Sequence, residues 1–213
     1  MPNWTENTIR INKDVIKKYL DEDGNFDFNK LIEMPKELDI TSGSPTSYGI
    51  IYYAQLHPEE LEICNKAYSV LNLFNGHIED EEMYKEDNTN NDNYEKDLAE
   101  GTQGIENYKK YGFVTWYEWS VANWGTKWNA SDTYIEDVDD KMCDVHFSTA
   151  WNVPIKIILK LCELNPEEDI KFTWVDEDYT GTYHAHNENG VLVEDDVDYD
   201  ESYYENFECD DEA

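Results

Sequence analysis

The stretch "MCDVHFSTAWNVPIKIILKLCELNPEEDIKFTWV" (Met142–Val175) decides the fold. Its first part alternates, placing Val145, Phe147 and Thr149 on one face of a strand. Its middle changes period: Pro154 stands near a helix start, Ile157, Ile158, Leu161 and Cys162 share an inward face, and Pro166 ends the run. Its last part alternates again, with Ile170, Phe172 and Trp174 set against Lys171, Thr173 and Val175. The unit reads strand, helix, strand.

The N-terminus repeats the order. "NTIRIN" (Asn7–Asn12) alternates as a strand. "KDVIKKYLDEDG" follows with Val15, Ile16, Tyr19 and Leu20 at helical spacing, stopped by Gly24, and "NFDFN" alternates Phe26 and Phe28. Strand–helix–strand at both ends predicts an α+β domain, an antiparallel sheet with helices packed on one face. Near the C-terminus "YTGTYHAHNENGVLVED" predicts a hairpin across its "NENG" turn. Between the two ends, Thr41–Gly49 reads as a loop by its Gly, Ser and Pro content, and "HPEELEICNKAYSVLNLF" as an amphipathic helix. The segment at about 76–106 is acidic, Asn-rich and nearly free of aliphatic residues. It reads as a mobile insertion or weak solvated helices. Residues 194–213 hold eleven acids and no base and read as a mobile tail, leaving 1–193 as one domain.

Charge dominates the composition. Forty-nine acids face 16 bases over 213 residues, a net charge of −33, and Arg10 is the only arginine. Such a field repels nucleic acid and anionic membranes and attracts basic protein surfaces. The polar start shows no signal peptide, and the longest apolar run is too short to span a membrane, so a cytoplasmic protein is expected. Cys64, Cys143, Cys162 and Cys209 form no CxxC pair and read as reduced thiols.

Seven tryptophans are present, and Trp119, Trp124 and Trp128 fall within a few residues of each other. The cluster reads as core, because each ring buries a large area and a nucleobase platform needs cationic surroundings. The segments "MPNWTENTIRI", "FDFNKLIEMPKEL", "YGFVTWYEWSVANWGTKWNA", "FSTAWNVP" and "EDYTGTYHAHNENG" resemble the YubB/Api92-like family of plasmid, phage and bacterial proteins. "NWGTKWNA" followed by "FSTAWNVP" is the most specific part, and the resemblance covers roughly 1–38 and 108–190. It implies a ferredoxin-like sheet and carriage on mobile elements. It assigns no catalytic residue, and the acidic middle and tail depart from its pattern.

Motifs for nucleotide binding, serine hydrolysis or HExxH zinc chemistry are absent from the sequence, and no cofactor is expected. His184 and His186 lie two apart on one strand face and would need a third ligand to hold zinc. With so many acids, a pair such as Asp176 and Asp178 is expected by chance. The sequence therefore predicts a non-enzymatic protein that meets a basic, nucleic-acid-binding protein by acidic mimicry. On a mobile element this partner would be a Cas effector or a restriction nuclease, which makes the chain an anti-CRISPR or anti-restriction inhibitor. The candidate contacts are Glu79, Asp80, Glu81, Glu82, Glu86 and Asp87 in the insertion, and Asp195, Asp196, Asp198 and Asp200 in the tail. The alternatives are a metal-dependent hydrolase using the two histidines, or an acidic housekeeping domain.

Overall fold

Strand β1 (Trp4–Asn12) is central to the sheet because its alternation is complete. Thr5, Asn7, Ile9 and Ile11 are buried, while Glu6 and Arg10 are exposed. In this computed structural model, which describes residues 3–73, 76–175, 181–195 and 197–199, β1 pairs antiparallel with β3 (Met142–Ala150) on one side and β4 (Lys171–Val175) on the other. β2 (Ser131–Asp137) lies outside β3, and β5 (Gly181–Glu188) and β6 (Val191–Glu194) extend the β4 edge. The order is β2-β3-β1-β4-β5-β6, with β7 (Asp198–Tyr199) also pairing β5. Strands β4-β1-β3-β2 are the antiparallel core of a ferredoxin-like split βαβ arrangement.

The expected strand–helix–strand unit is β3, α7 (Ile155–Leu164) and β4. Ile157, Ile158, Leu161 and Cys162 of α7 are buried, and Asn165 closes the helix by donating to the Leu161 carbonyl and the Tyr19 hydroxyl. The expected hairpin is β5–β6. Asn189 and Gly190 have φ of 53° and 87°, as a two-residue primed turn requires. After β1 the helix is short: α1 (Lys13–Ile16), capped by Asn12. "NFDFN" is not a strand. Phe26 makes a single bridge to Leu20 and Phe28 opens a 3-10 turn capped by Asp27. Both rings are buried edge-on against Phe147. β2 escapes sequence reading because its edge position leaves most of "SDTYIED" in water.

The chain divides into two compact units, Met1–Glu33 with Ala122–Ala213, and Met34–Val121. The first holds the sheet. The second is helical: α2 (Ser44–Leu56), α3 (Leu61–Asn72), α4 (Glu82–Lys85), α5 (Tyr94–Tyr111) and the start of α6 (Trp116–Asn123). Two expectations change here. The loop at 41–49 gives way to helix from Ser44, because Pro45 suits a first turn. The acidic segment at 76–106, read as a mobile insertion or weak solvated helices, is a packed helix in its second half, α5, with Asp97, Gly101, Gly104 and Ile105 buried. Gly49 of α2 and Gly101 of α5 let the two backbones touch, a mode of packing that leaves no apolar period to read. The core of this unit is built from Ile50, Ile51, Ala54, Cys64, Ala67, Ile105 and Val114. Among the described residues, no helix is long and apolar enough to cross a membrane.

The tryptophans also divide. Trp119 and Trp124 are buried, as expected, but Trp4, Trp128 and Trp151 keep 37%, 37% and 43% of their surface exposed. The cluster is therefore only partly core.

Candidate functional site

The predicted acids at Glu79–Asp87 form a ridge on the helical unit. α3 supplies the first anchor. Asn65 accepts the Ile78 backbone N–H at 2.7 Å and donates to Glu79 Oε2 at 3.0 Å. One turn on, the Tyr68 hydroxyl donates to Glu81 Oε1 at 3.1 Å. Burial, with Glu81 beside it, pushes the Tyr68 phenol up to about 12, so it remains a donor at any physiological pH. α2 supplies the third anchor: the Gln55 amide nitrogen donates to the carbonyls of Met83, Tyr84 and Glu86 at 2.9–3.1 Å. Asn88 adds a bond to Met83 O at 2.7 Å.

The bonds to Ile78, Met83, Tyr84 and Glu86 hold the backbone, and those to Glu79 and Glu81 hold two of the carboxylates. Asp80, Glu82, Glu86 and Asp87 are exposed, and Glu79 and Glu81 are half-buried. Hydrogen bonds from its own backbone N–H and from Asn65 hold the Glu79 carboxyl below its ordinary range, and Thr89 does the same for Asp87. Over Glu79–Glu100 the sequence sets ten acids against Lys85 and Lys96. Asn65, Tyr68 and Gln55 were invisible as anchors in the sequence. Their signal is slight: polar tips on helix faces next to buried Cys64, Leu71 and Ala54.

The other predicted acids lie elsewhere. Asp195 and Asp198 belong to the sheet unit and meet the histidines there. His186 Nδ1 is 2.9 Å from Asp195 Oδ1, and His184 Nε2 is 3.2 Å from Asp198 Oδ2. His184 Nδ1 also lies 3.2 Å from Thr173 Oγ1. Asp196 and Asp200 lie outside the described residues, as do Asp176, Asp178 and Cys209. His184 and His186 share one face, beside a shallow cavity of about 460 Å³ lined by Lys171, Thr173 and Asp195. Among the described residues no group of three His, Cys, Asp or Glu is placed to hold a metal ion. His146 points to the face opposite Cys143, with its ring stacked on Tyr134 and Nδ1 3.0 Å from Thr8 Oγ1. Burial pushes the Cys64 and Cys162 thiols up to about 11, which leaves them inert as nucleophiles near neutral pH.

A surface that includes Trp128, expected in the core, lies at one end of β1 and β3. Trp4 pairs across the sheet with Ala150, and its ring centroid is 6.2 Å from that of Trp128. The Lys127 ammonium stands over Trp128 at 4.5 Å and over Trp151 at 4.8 Å from the ring centroids. Trp151 has φ of 70°, a left-handed conformation that costs a bulky residue about 1–3 kcal/mol. A buried polar network holds it there. The Trp151 N–H donates to Asn3 O at 2.8 Å, Thr126 Oγ1 donates to Ala150 O at 2.8 Å, and Thr149 Oγ1 donates to Asn152 O at 2.8 Å. Asn7 in turn donates to Thr149 Oγ1 at 2.9 Å. Asn7, Thr126 and Thr149 are all buried.

Residues 123–212 match the family model for the ferredoxin-like domain in Api92-like protein. Among solved structures, the chain is similar to the crystal structure of a protein Api92 from Yersinia pseudotuberculosis, at 7% identity and a TM-score of 0.42, covering 94% of this chain and 98% of that one. No curated protein matches the chain.

Proposed function

We propose that this chain, whose residues 123–212 match the family model for the ferredoxin-like domain in Api92-like protein, acts by binding: the acidic ridge docks on the cationic groove of a nucleic-acid-binding protein and competes there with nucleic acid. The observation that carries this reading is the anchoring of the ridge by Asn65, Tyr68 and Gln55. Duplex DNA presents about one negative charge per 1.7 Å of its axis, on a stiff scaffold. A flexible acidic run would lose conformational entropy on meeting the same groove, whereas an anchored one is already ordered. A net charge of −33 adds long-range steering toward basic surfaces. In the cytoplasm of a cell that hosts a plasmid or phage, a restriction nuclease or a Cas effector presents a groove of this kind, which makes an anti-defence role the specific form of the proposal.

The test is a pull-down from host lysate at low and moderate salt, with the wild type and with the fourfold variant Asp80→Asn, Glu82→Gln, Glu86→Gln, Asp87→Asn. The proposal expects a nucleic-acid-binding complex at low salt, released by duplex DNA or RNA and lost with the variant. Equal recovery by both proteins, or retention of the complex in excess nucleic acid, refutes it.

A further inference from the structure

The acidic ridge leaves unexplained why three tryptophans of the sheet unit stand partly in water, two of them under one lysine. Exposed indoles cost solvation, and the backbone at Trp151 is held in a conformation that disfavours any side chain. Both costs are maintained by the buried network of Asn7, Thr126 and Thr149. Strain upheld in this way, at a surface rather than in a core, accompanies binding sites.

The Lys127 ammonium identifies the chemistry the patch accepts. It lies over the faces of Trp128 and Trp151 at 4.5 and 4.8 Å, within the range at which a cation is attracted by an indole ring. Trp4 stands behind Trp128 at 6.2 Å, tilted by 39°, and widens the aromatic surface. We propose that Trp4, Trp128 and Trp151 form a cation-recognition site for an arginine or lysine side chain of the basic protein partner, with Lys127 as the internal occupant that this side chain replaces. The proposal rests on the reading of the partner as a basic protein. An apolar side chain entering here would displace an ammonium and return nothing to the ring faces, whereas a guanidinium replaces like with like. A partner selected by a net charge of −33 is rich in such side chains. Arginine suits the site better than lysine, since its planar, weakly hydrated head stacks on indole faces. The displaced Lys127 is released in a chain whose acids outnumber its bases three to one.

The experiment is an NMR titration of the full chain, following the tryptophan indole N–H signals at fixed ionic strength. The probes are Nα-acetyl-arginine methylamide and its neutral citrulline counterpart. The expected result is saturable shifts at Trp128 and Trp151 with the arginine probe and none with citrulline. Lys127→Met removes the internal competitor and should tighten arginine binding about three- to tenfold. The double variant Trp128→Ala, Trp151→Ala keeps the net charge and should abolish saturable arginine binding read by isothermal titration calorimetry, and Trp128→Phe, which keeps a π face, should retain part of it. Equal shifts with citrulline, or no gain from Lys127→Met in a folded protein, overturn the proposal. Shifts that depend on protein concentration instead of probe identify a second copy of the chain as the occupant and overturn it too. This titration needs no partner. If it succeeds while nucleic acid fails to compete in the pull-down, the mimicry reading falls and the cation site stands. If it fails while nucleic acid competes, only the cation site falls.

Discussion

Gly49 and Gly101 meet backbone to backbone: a Cβ built on Gly101 would stand 1.9 Å from the carbonyl carbon of Gly49. This approach joins α2, which carries Gln55, to α5, so the platform beneath the acidic ridge depends on two absent side chains. Gly101→Ala should destabilise the helical unit by at least ~2 kcal/mol, toward the upper end of overpacking costs, because the clashing atoms are backbone and cannot rotate away. Urea unfolding followed by far-UV circular dichroism measures it. Unchanged stability would mean that the helices do not pack as described.

The ridge anchors make a separable prediction. Asn65→Ala and Gln55→Leu remove hydrogen bonds but no charge. Each should cost about 1–2 kcal/mol at most and raise amide hydrogen exchange over 78–88 selectively. Partner association should keep its rate, because long-range steering is intact, while dissociation accelerates. A slower association with unchanged dissociation would show that anchoring plays no part in binding.

Glu118 sets a pH dependence. It is buried on α6, where Oε2 accepts from the Thr115 backbone N–H and hydroxyl while Oε1 has no partner among the described residues. Burial raises its carboxyl above the usual carboxylate range, with the Thr115 bonds opposing. A raised folded value means that the folded state holds the proton longer than the unfolded chain does. The stabilisation is full below the unfolded value and is lost as pH rises through the folded one. Glu118→Gln should therefore lose this dependence and match or exceed the wild type in stability at neutral pH, read as thermal midpoints at a series of pH values. A variant less stable than wild type at pH 7 would show that the ionised carboxylate is the favoured form.

Trp151 separates strain from packing. Its φ of 70° suits glycine and no bulky residue. Trp151→Gly should be more stable than Trp151→Ala by about 1 kcal/mol, although both remove the ring and both should lose the arginine response. Equal stability of the two variants would place the strain elsewhere.

The parts of the fold legible in the sequence are those in which burial follows a simple period. In β3, α7 and β4 one face is core throughout, so Val145, Phe147, Ile158, Leu161 and Phe172 mark it. The "NENG" turn is equally plain, because Asn and Gly tolerate positive φ. β2 lacked a signal because an edge strand need not alternate when both faces meet water. The first part of α5 lacked one because its contact with α2 is made by glycines and not by side chains. Trp128 misled because a tryptophan is more often core, and only its backbone placement turns it outward. Of the acids singled out, Glu79–Asp87 are gathered on one ridge, while Asp195 and Asp198 lie beside His186 and His184 in the other unit. Residue type could not distinguish them, since every carboxylate in so acidic a chain looks alike.

The central claim is competition between the ridge and nucleic acid for one groove. The direct measurement is the apparent affinity of the chain for its recovered partner as duplex DNA is added, at fixed salt. The account predicts a dissociation constant that rises in proportion to the DNA concentration, with the fourfold ridge variant binding more weakly at every point. A dissociation constant that stays flat while the complex takes up DNA with undiminished affinity would contradict it.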